Sequence, residues 1–327
     1  MTADVICLRP AADFSEVGVQ VPAGLRIRFA EPGQVPAADL ATARAVVLAS
    51  VGPTLERDWL DRVRRLQLVQ FTGAGVDRMG DSCAHRPEVA VANIPAANVR
   101  EVAEYVLLAA GTLLRRLAFA DREIRAGRYR EARAELAPTA VRSLHSRTVG
   151  VIGLGRIGLA VARLVAATGA TVVYTDPAPP DPAAAEALGL TGLALDDLLA
   201  RCDVVTLHVP LLPATRGLIG AERLRRLPRG ALLINASRGG VVDEQALAAA
   251  LADGHLGGAA VDVYAREPPP ASSPLLRLPP AAAERVLLTP HIAGVAYEAA
   301  RELYTRAWAN VRRVLIEGLP AEHQVRA

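Results

Sequence analysis

The chain has 327 residues, room for two domains of about 100–200 residues each. Its 51% hydrophobic and 22% charged content excludes an intrinsically disordered chain, and no apolar run approaches the ~20 residues of a membrane span. The net charge of +3 comes from 37 basic residues, all arginine, interspersed with 34 acids; with no basic tail a nucleic-acid-binding arm is excluded, and with no lysine so are Schiff-base and P-loop chemistry.

From the N-terminus, short apolar runs at Asp4–Leu8, Leu25–Phe29, Ala45–Ala49, Gln67–Phe71 and Val89–Asn93 predict five strands. Glu56–Arg65 predicts an amphipathic helix between two of them, and the alternation predicts a small parallel α/β domain. The segment Thr72-Gly73-Ala74-Gly75-Val76-Asp77 follows the fourth strand; its glycines either leave backbone N–H groups for a carboxylate or make a plain strand-to-helix turn. Val99–Arg125 predicts the longest helix, suited to joining two domains and to burying an apolar face against a second subunit. Arg128–Val141 reads as a loop with helical turns, an arm exchanged between subunits. The stretch MTADVICLRP has no basic segment followed by a long apolar core, so no secretory signal is expected. Cys7, Cys83 and Cys202 stand far apart without a C-x-x-C, which suits reduced thiols in the cytoplasm and offers no metal site.

A second series begins at Thr148. Thr148–Ile152 predicts a buried strand, Gly153, Gly155 and Gly158 complete a G-x-G-x-x-G, and Leu159–Thr168 predicts a helix closed by Gly169. The first glycine permits a tight turn, the second lets backbone approach a pyrophosphate, and the third lets helix pack close on strand. The next strand, Thr171–Thr175, ends at Asp176, 23 residues after Gly153 (176 − 153), where a carboxylate meets the adenosine ribose hydroxyls. The glycines alone say little, but strand, glycines, helix, strand and acid in this order read as a dinucleotide site. Further strands at Asp203–Leu207, Ala231–Asn235, Gly258–Val263 and Val286–Thr289 give six, as in a doubly wound α/β sheet. Helices fit at Ala183–Leu188, Leu195–Ala200, Ala221–Leu227 and Glu244–Asp253. Pro268–Pro280 reads as a loop, and Tyr297–Glu317 as a final helix that packs back on the first domain.

Ligands of open parallel sheets sit outside the carboxyl ends of the strands. The ionisable residues that follow the later strands are His208, Arg238, Glu267 and His291, with Asp262 inside the strand before Glu267. Each alone is ordinarily a surface charge or a packed polar residue; their shared edge, beside the dinucleotide, singles them out. They suit hydride transfer between a nicotinamide and a 2-oxo or 2-hydroxy acid. Arg238 offers a bidentate fork to a carboxylate, His291 an acid/base, and Glu267 a carboxylate that fixes the imidazole. His208, before Val209-Pro210, is better placed to line the cofactor pocket.

Seven segments in order resemble the D-isomer-specific 2-hydroxyacid dehydrogenases: TGAGVDRM from Thr72, NIPAANVREVAE from Asn93, Val149–Gly158, HVPLLPATRGLI from His208, NASRGGVVD from Asn235, DVYAREP from Asp262 and LTPHIAG from Leu288. The resemblance implies a doubly wound Rossmann cofactor domain, residues 99–294, inserted into a smaller flavodoxin-like α/β substrate domain, residues 1–98 and 295–327. It gives Arg238, Glu267 and His291 the family's catalytic roles. Around NAD it places Gly153, Gly155, Arg156, Ile157, Gly158, Asp176, His208, Val209, Pro210, Thr215, Ala236, Ser237, Asp262 and Gly294, and around the substrate Thr72, Gly73 and Ala74. A homodimer through the Val99 helix is likewise implied, with no nucleic-acid or membrane partner. Asp176 favours NAD over NADP, whose 2′-phosphate would face a carboxylate, and Glu267 stands where the formate branch has Gln. Arg100 departs from the small residues common there; it either binds a second anionic group such as a phosphonate or is a solvent-facing helix charge. Two rival readings share these residues, a phosphite dehydrogenase and a non-catalytic NAD-sensing, corepressor-like protein.

Overall fold

β-Branched and aliphatic runs of three to five residues make most of the strands, and helices cover both faces of two parallel sheets. The computed structural model describes residues 2–137, 141–178 and 181–325. The chain divides into two compact units, Met1–Asn98 with Val295–Ala327, and Val99–Gly294.

The first unit holds β1 (Val5–Cys7), β2 (Ile27–Phe29), β3 (Ala45–Leu48), β4 (Leu68–Phe71) and β5 (Ala90–Ala92). They pair in the order β2-β1-β3-β4-β5, every neighbour parallel, which is the flavodoxin-like arrangement. β1, β3 and β4 are fully buried along their length, as a sheet covered on both faces requires. One face is covered by the helix Tyr297–Leu315, whose Tyr304, Trp308 and Val311 pack with Phe14 against Val5, Val47 and Leu68. The other face packs Leu40, Trp59, Leu60 and Val63 on Ile6, Val46 and Val69. Asn310, buried beneath that long helix, donates to the buried Gln70 side chain at 2.6 Å, so neither amide is left unpaired. The helix predicted over Glu56–Arg65 spans only Arg57–Asp61, because Arg62 and Val63 turn back to the Trp59 and Leu60 carbonyls and tighten the chain out of the α-helix. Ala11–Glu16 and Ala37–Thr42 are further helices, each preceded by proline.

The second unit holds β6 (Thr148–Ile152), β7 (Thr171–Thr175), β8 (Thr191–Gly192), β9 (Val204–Leu207), β10 (Leu232–Asn235), β11 (Gly258–Val261) and β12 (Val286–Leu288). Their order, β12-β11-β10-β9-β6-β7-β8, is the doubly wound 3-2-1-4-5-6 sheet with a seventh strand beside the sixth. The expectation of six strands therefore fell one short: β8 is two exposed residues paired to Val173 and Tyr174. The helix after the glycines begins at Arg156, not Leu159, with Gly155 as its cap. The long stretch predicted as one helix breaks into Val99–Arg115 and Leu117–Arg125, because Arg116 lies in the left-handed region at φ 51. The following arm contains the helix Tyr129–Glu135; residues 138–140 of the predicted Arg128–Val141 stretch lie outside the described residues. The final helix stops at Leu315 rather than Glu317.

Among the described residues no helix is long and apolar enough to cross a membrane. All three cysteines are free and buried, and burial pushes the thiols of Cys7 and Cys202 up to about 12.

Candidate active site

The glycine turn shows which positions the fold needs and which it leaves for a ligand. Gly153 takes φ 89, and a Cβ on it would lie 2.6 Å from the His208 carbonyl oxygen. A Cβ on Gly158 would lie 2.0 Å from the carbonyl oxygen of Gly153, so the helix Arg156–Ala166 packs against the turn only because that residue is glycine. A Cβ on Gly155 would meet nothing within 4 Å. The middle glycine thus faces open space at a helix N-terminus, and the cradle fits a diphosphate. Beyond β7, Asp176 accepts from the amide of Leu154 at 2.6 Å and from that of Ala178 at 2.8 Å, which pins its carboxylate beside the turn.

At the carboxyl end of β9, the ring Nε2 of His208 lies 2.9 Å from Thr206 Oγ1, and burial pushes its pKa down to about 3, so the ring is neutral. Val209 is half-buried and Pro210 exposed; Thr215 closes their loop by donating to the Pro210 carbonyl and accepting from the Leu212 amide. Arg156 is exposed on the first turn of its helix, Ile157 packs on the core beneath it, and Gly294 is half-buried after the His291 turn.

After β10, Asn235 organises the loop that carries Arg238. Its side-chain oxygen accepts from the amide and hydroxyl of Ser237, and its Nδ2 donates to the Arg238 carbonyl. Arg238 is half-buried, and its Nη1 donates to the Ser237 carbonyl. The next residue sets where this loop lies: a Cβ on Gly239 would fall 1.8 Å from the Tyr264 carbonyl oxygen. Glycine there brings the Arg238 backbone against the loop after β11.

That loop holds Glu267. Its Oε1 accepts from the Tyr264 amide at 3.0 Å, and its Oε2 lies 2.9 Å from Nδ1 of His291. Burial raises the Glu267 pKa, but the His291 ring, the Tyr264 amide and the Arg238 guanidinium together outweigh it and hold the carboxyl below its ordinary value. His291 follows β12 at φ 55, a left-handed conformation rare outside glycine. Asp262 fixes that turn from underneath. It is fully buried; its carbonyl accepts from the His291 amide at 2.8 Å, and its carboxylate accepts from the amides of Ile292 and Ala293 and from the Thr289 hydroxyl.

Arg238, Glu267, His291 and Asp262 therefore lie beyond β10, β11 and β12 on the edge that also carries the glycine turn. Thr72, Gly73 and Ala74 end β4 of the first unit. The carbonyl groups of Gly73 and Ala74 accept from Ile94 N and Asn93 Nδ2, and among the described residues their N–H groups have no partner. Thr72 is buried and donates to Leu48 O. Arg100 is exposed on the first turn of its helix. The residues that escaped notice in the sequence are Asn235, Tyr264, Thr289 and Tyr105, whose hydroxyl lies 2.6 Å from Thr289 Oγ1. They act on the site through backbone or a third residue, and no spacing announces that.

The family model for the NAD-binding domain of D-isomer specific 2-hydroxyacid dehydrogenases matches residues 107–293, more than half of the chain. D-3-phosphoglycerate dehydrogenase of Mycobacterium tuberculosis is 37% identical over 281 residues, 86% of this chain and 50% of that protein, so this chain spans about half the length of that curated relative. D-lactate dehydrogenase from Aquifex aeolicus, solved with NAD and lactic acid, superposes with a TM-score of 0.83 at 27% identity, covering 96% of this chain and 95% of that one. An NADPH-dependent glyoxylate/hydroxypyruvate reductase from Sinorhizobium meliloti, solved with NADP and malonate, gives 0.82 at 27% identity, covering 99% and 97%. The cofactor class is a nicotinamide dinucleotide, whose diphosphate the glycine cradle fits. The resemblance read from seven motifs holds: the chain belongs to the D-isomer-specific 2-hydroxyacid dehydrogenase family.

Proposed function

We propose that the chain interconverts a small 2-hydroxy acid and its 2-oxo acid with NAD(H), Arg238 binding the carboxylate, His291 acting as acid/base and Glu267 tuning it. The observation that carries this reading is the Glu267–His291 pair at 2.9 Å, on loops beside the one that carries Arg238. Gly153, Gly155, Gly158 and the first turn at Arg156 and Ile157 would hold the diphosphate, Asp176 the adenosine ribose, and His208, Val209, Pro210, Thr215, Ala236, Ser237, Asp262 and Gly294 the remainder. When bound, the dinucleotide supplies hydride in reduction and accepts it in oxidation. Arg238 presents paired N–H donors to the substrate carboxylate. An ionised Glu267 accepts from Nδ1–H of His291, which leaves Nε2 to give a proton to the substrate oxygen during reduction and to take it back during oxidation. The same carboxylate stabilises the imidazolium and keeps the ring from turning.

The test is NADH consumption with glyoxylate, hydroxypyruvate and pyruvate, and NAD reduction with phosphite. Reduction of at least one 2-oxo acid is expected, with kcat/KM falling by about 10²–10⁴ in His291→Ala. Turnover of phosphite alone, or NADH binding without any turnover, overturns the reading. NADH should stabilise the protein more than NADPH; the reverse would contradict the role given to Asp176. Residues 1–98 with 295–327 are the proposed substrate domain, with the free N–H groups of Gly73 and Ala74, and Thr72 beside them, serving a carboxylate. The exposure of Arg100 favours a solvent-facing charge, so Arg100→Ala should leave the rates with all three 2-oxo acids unchanged.

A homodimer in the cytoplasm completes the proposal. Leu108 is 68% exposed and Tyr129 is 65% exposed, and Leu117 and Ile124 are also bare, so the Val99 helix and its arm present an apolar surface. Sedimentation of Leu108→Glu as a monomer, against a wild-type dimer, would bear this out.

A further inference from the structure

Opposite the glycine turn, the amino ends of β9, β10, β11 and β12 surround a cavity of about 360 Å³, roofed by the end of the Val99–Arg115 helix and the start of Leu117–Arg125. Five guanidinium groups line it, those of Arg116, Arg142, Arg147, Arg229 and Arg285. Among the described lining residues the carboxylates are Asp203 and Glu284, and Glu135 pairs with Arg116 from outside the lining. Glu284 is engaged by Arg122 from outside the lining, and Asp203 is shared between Arg147 and the amide of Thr148.

Among the described residues, two of these positive charges, Arg285 and Arg229, have no carboxylate partner. Arg285 donates to three backbone carbonyls, those of Leu251, Leu256 and Ala281, which fix the side chain and leave its charge uncompensated. Arg229 is exposed and makes no hydrogen bond or ion pair among the described residues. The Nε of Arg147 is buried with no partner, a donor whose desolvation is not repaid within the chain. The rim is closely packed: a Cβ on Gly257 would lie 2.3 Å from the Gly230 carbonyl oxygen, so the loops before β10 and β11 touch backbone to backbone. Arg116, in its left-handed turn, stacks 4.4 Å over Phe119 and pairs with Glu135, which holds the roof.

We propose that this cavity is a binding site for a small multivalent anion, a phosphate ester or a polycarboxylate, separate from the cofactor and substrate site. Its volume lies at the small end of ligand pockets, below what a dinucleotide fills. Fork-shaped guanidinium donors match phosphate and carboxylate oxygens, and a cation surplus in a concave wall draws anions of higher charge.

Inorganic pyrophosphate and citrate are the probes, titrated calorimetrically into the whole protein saturated with NADH at constant ionic strength, so that the diphosphate cradle is already filled. Both should bind wild-type protein and Arg238→Ala alike, and both should bind at least tenfold more weakly to Arg229→Glu and to Arg229→Gln. Arg229 is exposed and unengaged, so these variants should keep the wild-type melting temperature in the absence of anion. Absence of binding to wild type, equal affinity in the Arg229 variants, or loss in Arg238→Ala alone would overturn the site. So would dissociation of an oligomer by pyrophosphate in sedimentation, which would assign the cavity to carboxylates of a second copy.

Discussion

Asp262 does for His291 what no neighbour in the sequence could. A left-handed histidine is strained, and four bonds from one buried residue hold the turn in that shape. Asp262→Asn puts an NH₂ where one carboxylate oxygen accepted, so at least one of those donors loses its acceptor. We expect a loss of about 2–3 kcal/mol, the usual cost of a buried charge-assisted bond, and a fall in kcat that exceeds the change in KM. A melting curve and a kinetic comparison check both. Glu267 gives a pH-dependent prediction. Its folded pKa lies below the unfolded value of about 4.3, so its contribution to stability is complete above that value and is lost as pH falls through the folded one. The melting temperature of wild type should therefore exceed that of Glu267→Gln by a constant margin near neutrality, and the margin should shrink toward pH 3. A margin that grows on acidification would contradict the pairing. The placement of Arg238, Glu267 and His291 at the strand ends was legible from the sequence, because ligands of parallel sheets sit there. Asp262 was legible only as a residue near the cofactor, since its hydrogen-bond partners lie on a different strand-end loop.

The elements were readable where the sequence speaks locally. Runs rich in Val, Ile and Leu located β1, β3, β6, β9 and β10 to within a residue or two, since a strand buried on both faces favours them. β8 escaped because two exposed residues carry no pattern, and the break at Arg116 because arginine gives no hint of a left-handed turn. The glycine turn yields a paired prediction at this scale. Gly158→Ala drives a methyl into the Gly153 carbonyl and should cost more than the ~1–3 kcal/mol of ordinary overpacking, because backbone cannot step aside. Gly155→Ala meets nothing within the protein. It should leave the cofactor-free melting temperature unchanged and abolish most of the stabilisation by NADH. If both variants melt like wild type and bind NADH normally, the turn does not approach a diphosphate.

Across the whole molecule, the cofactor unit carries its own means of folding. The apolar clusters on the two faces of the seven-stranded sheet, one around Leu198, Leu207 and Leu233 and the other around Val106, Val151 and Ile234, draw every residue from within 99–294. All seven strands and the glycine cradle lie in the same span. A fragment of 196 residues (294 − 99 + 1) should therefore unfold cooperatively by itself. It should also bind NADH, since the proposed cofactor contacts all fall inside it. At a hundredfold excess over Kd, NADH would add about 2.7 kcal/mol, worth roughly 5–10 °C at about 2–4 °C per kcal/mol for a unit of this size. Turnover should be absent, because the free amides of Gly73 and Ala74 proposed for the substrate belong to the other unit. A fragment without far-ultraviolet helical signal would show that the two cores do not suffice alone. A folded fragment with no shift in NADH would show instead that the first unit takes part in holding the cofactor, and that the division of labour between the two units is drawn in the wrong place.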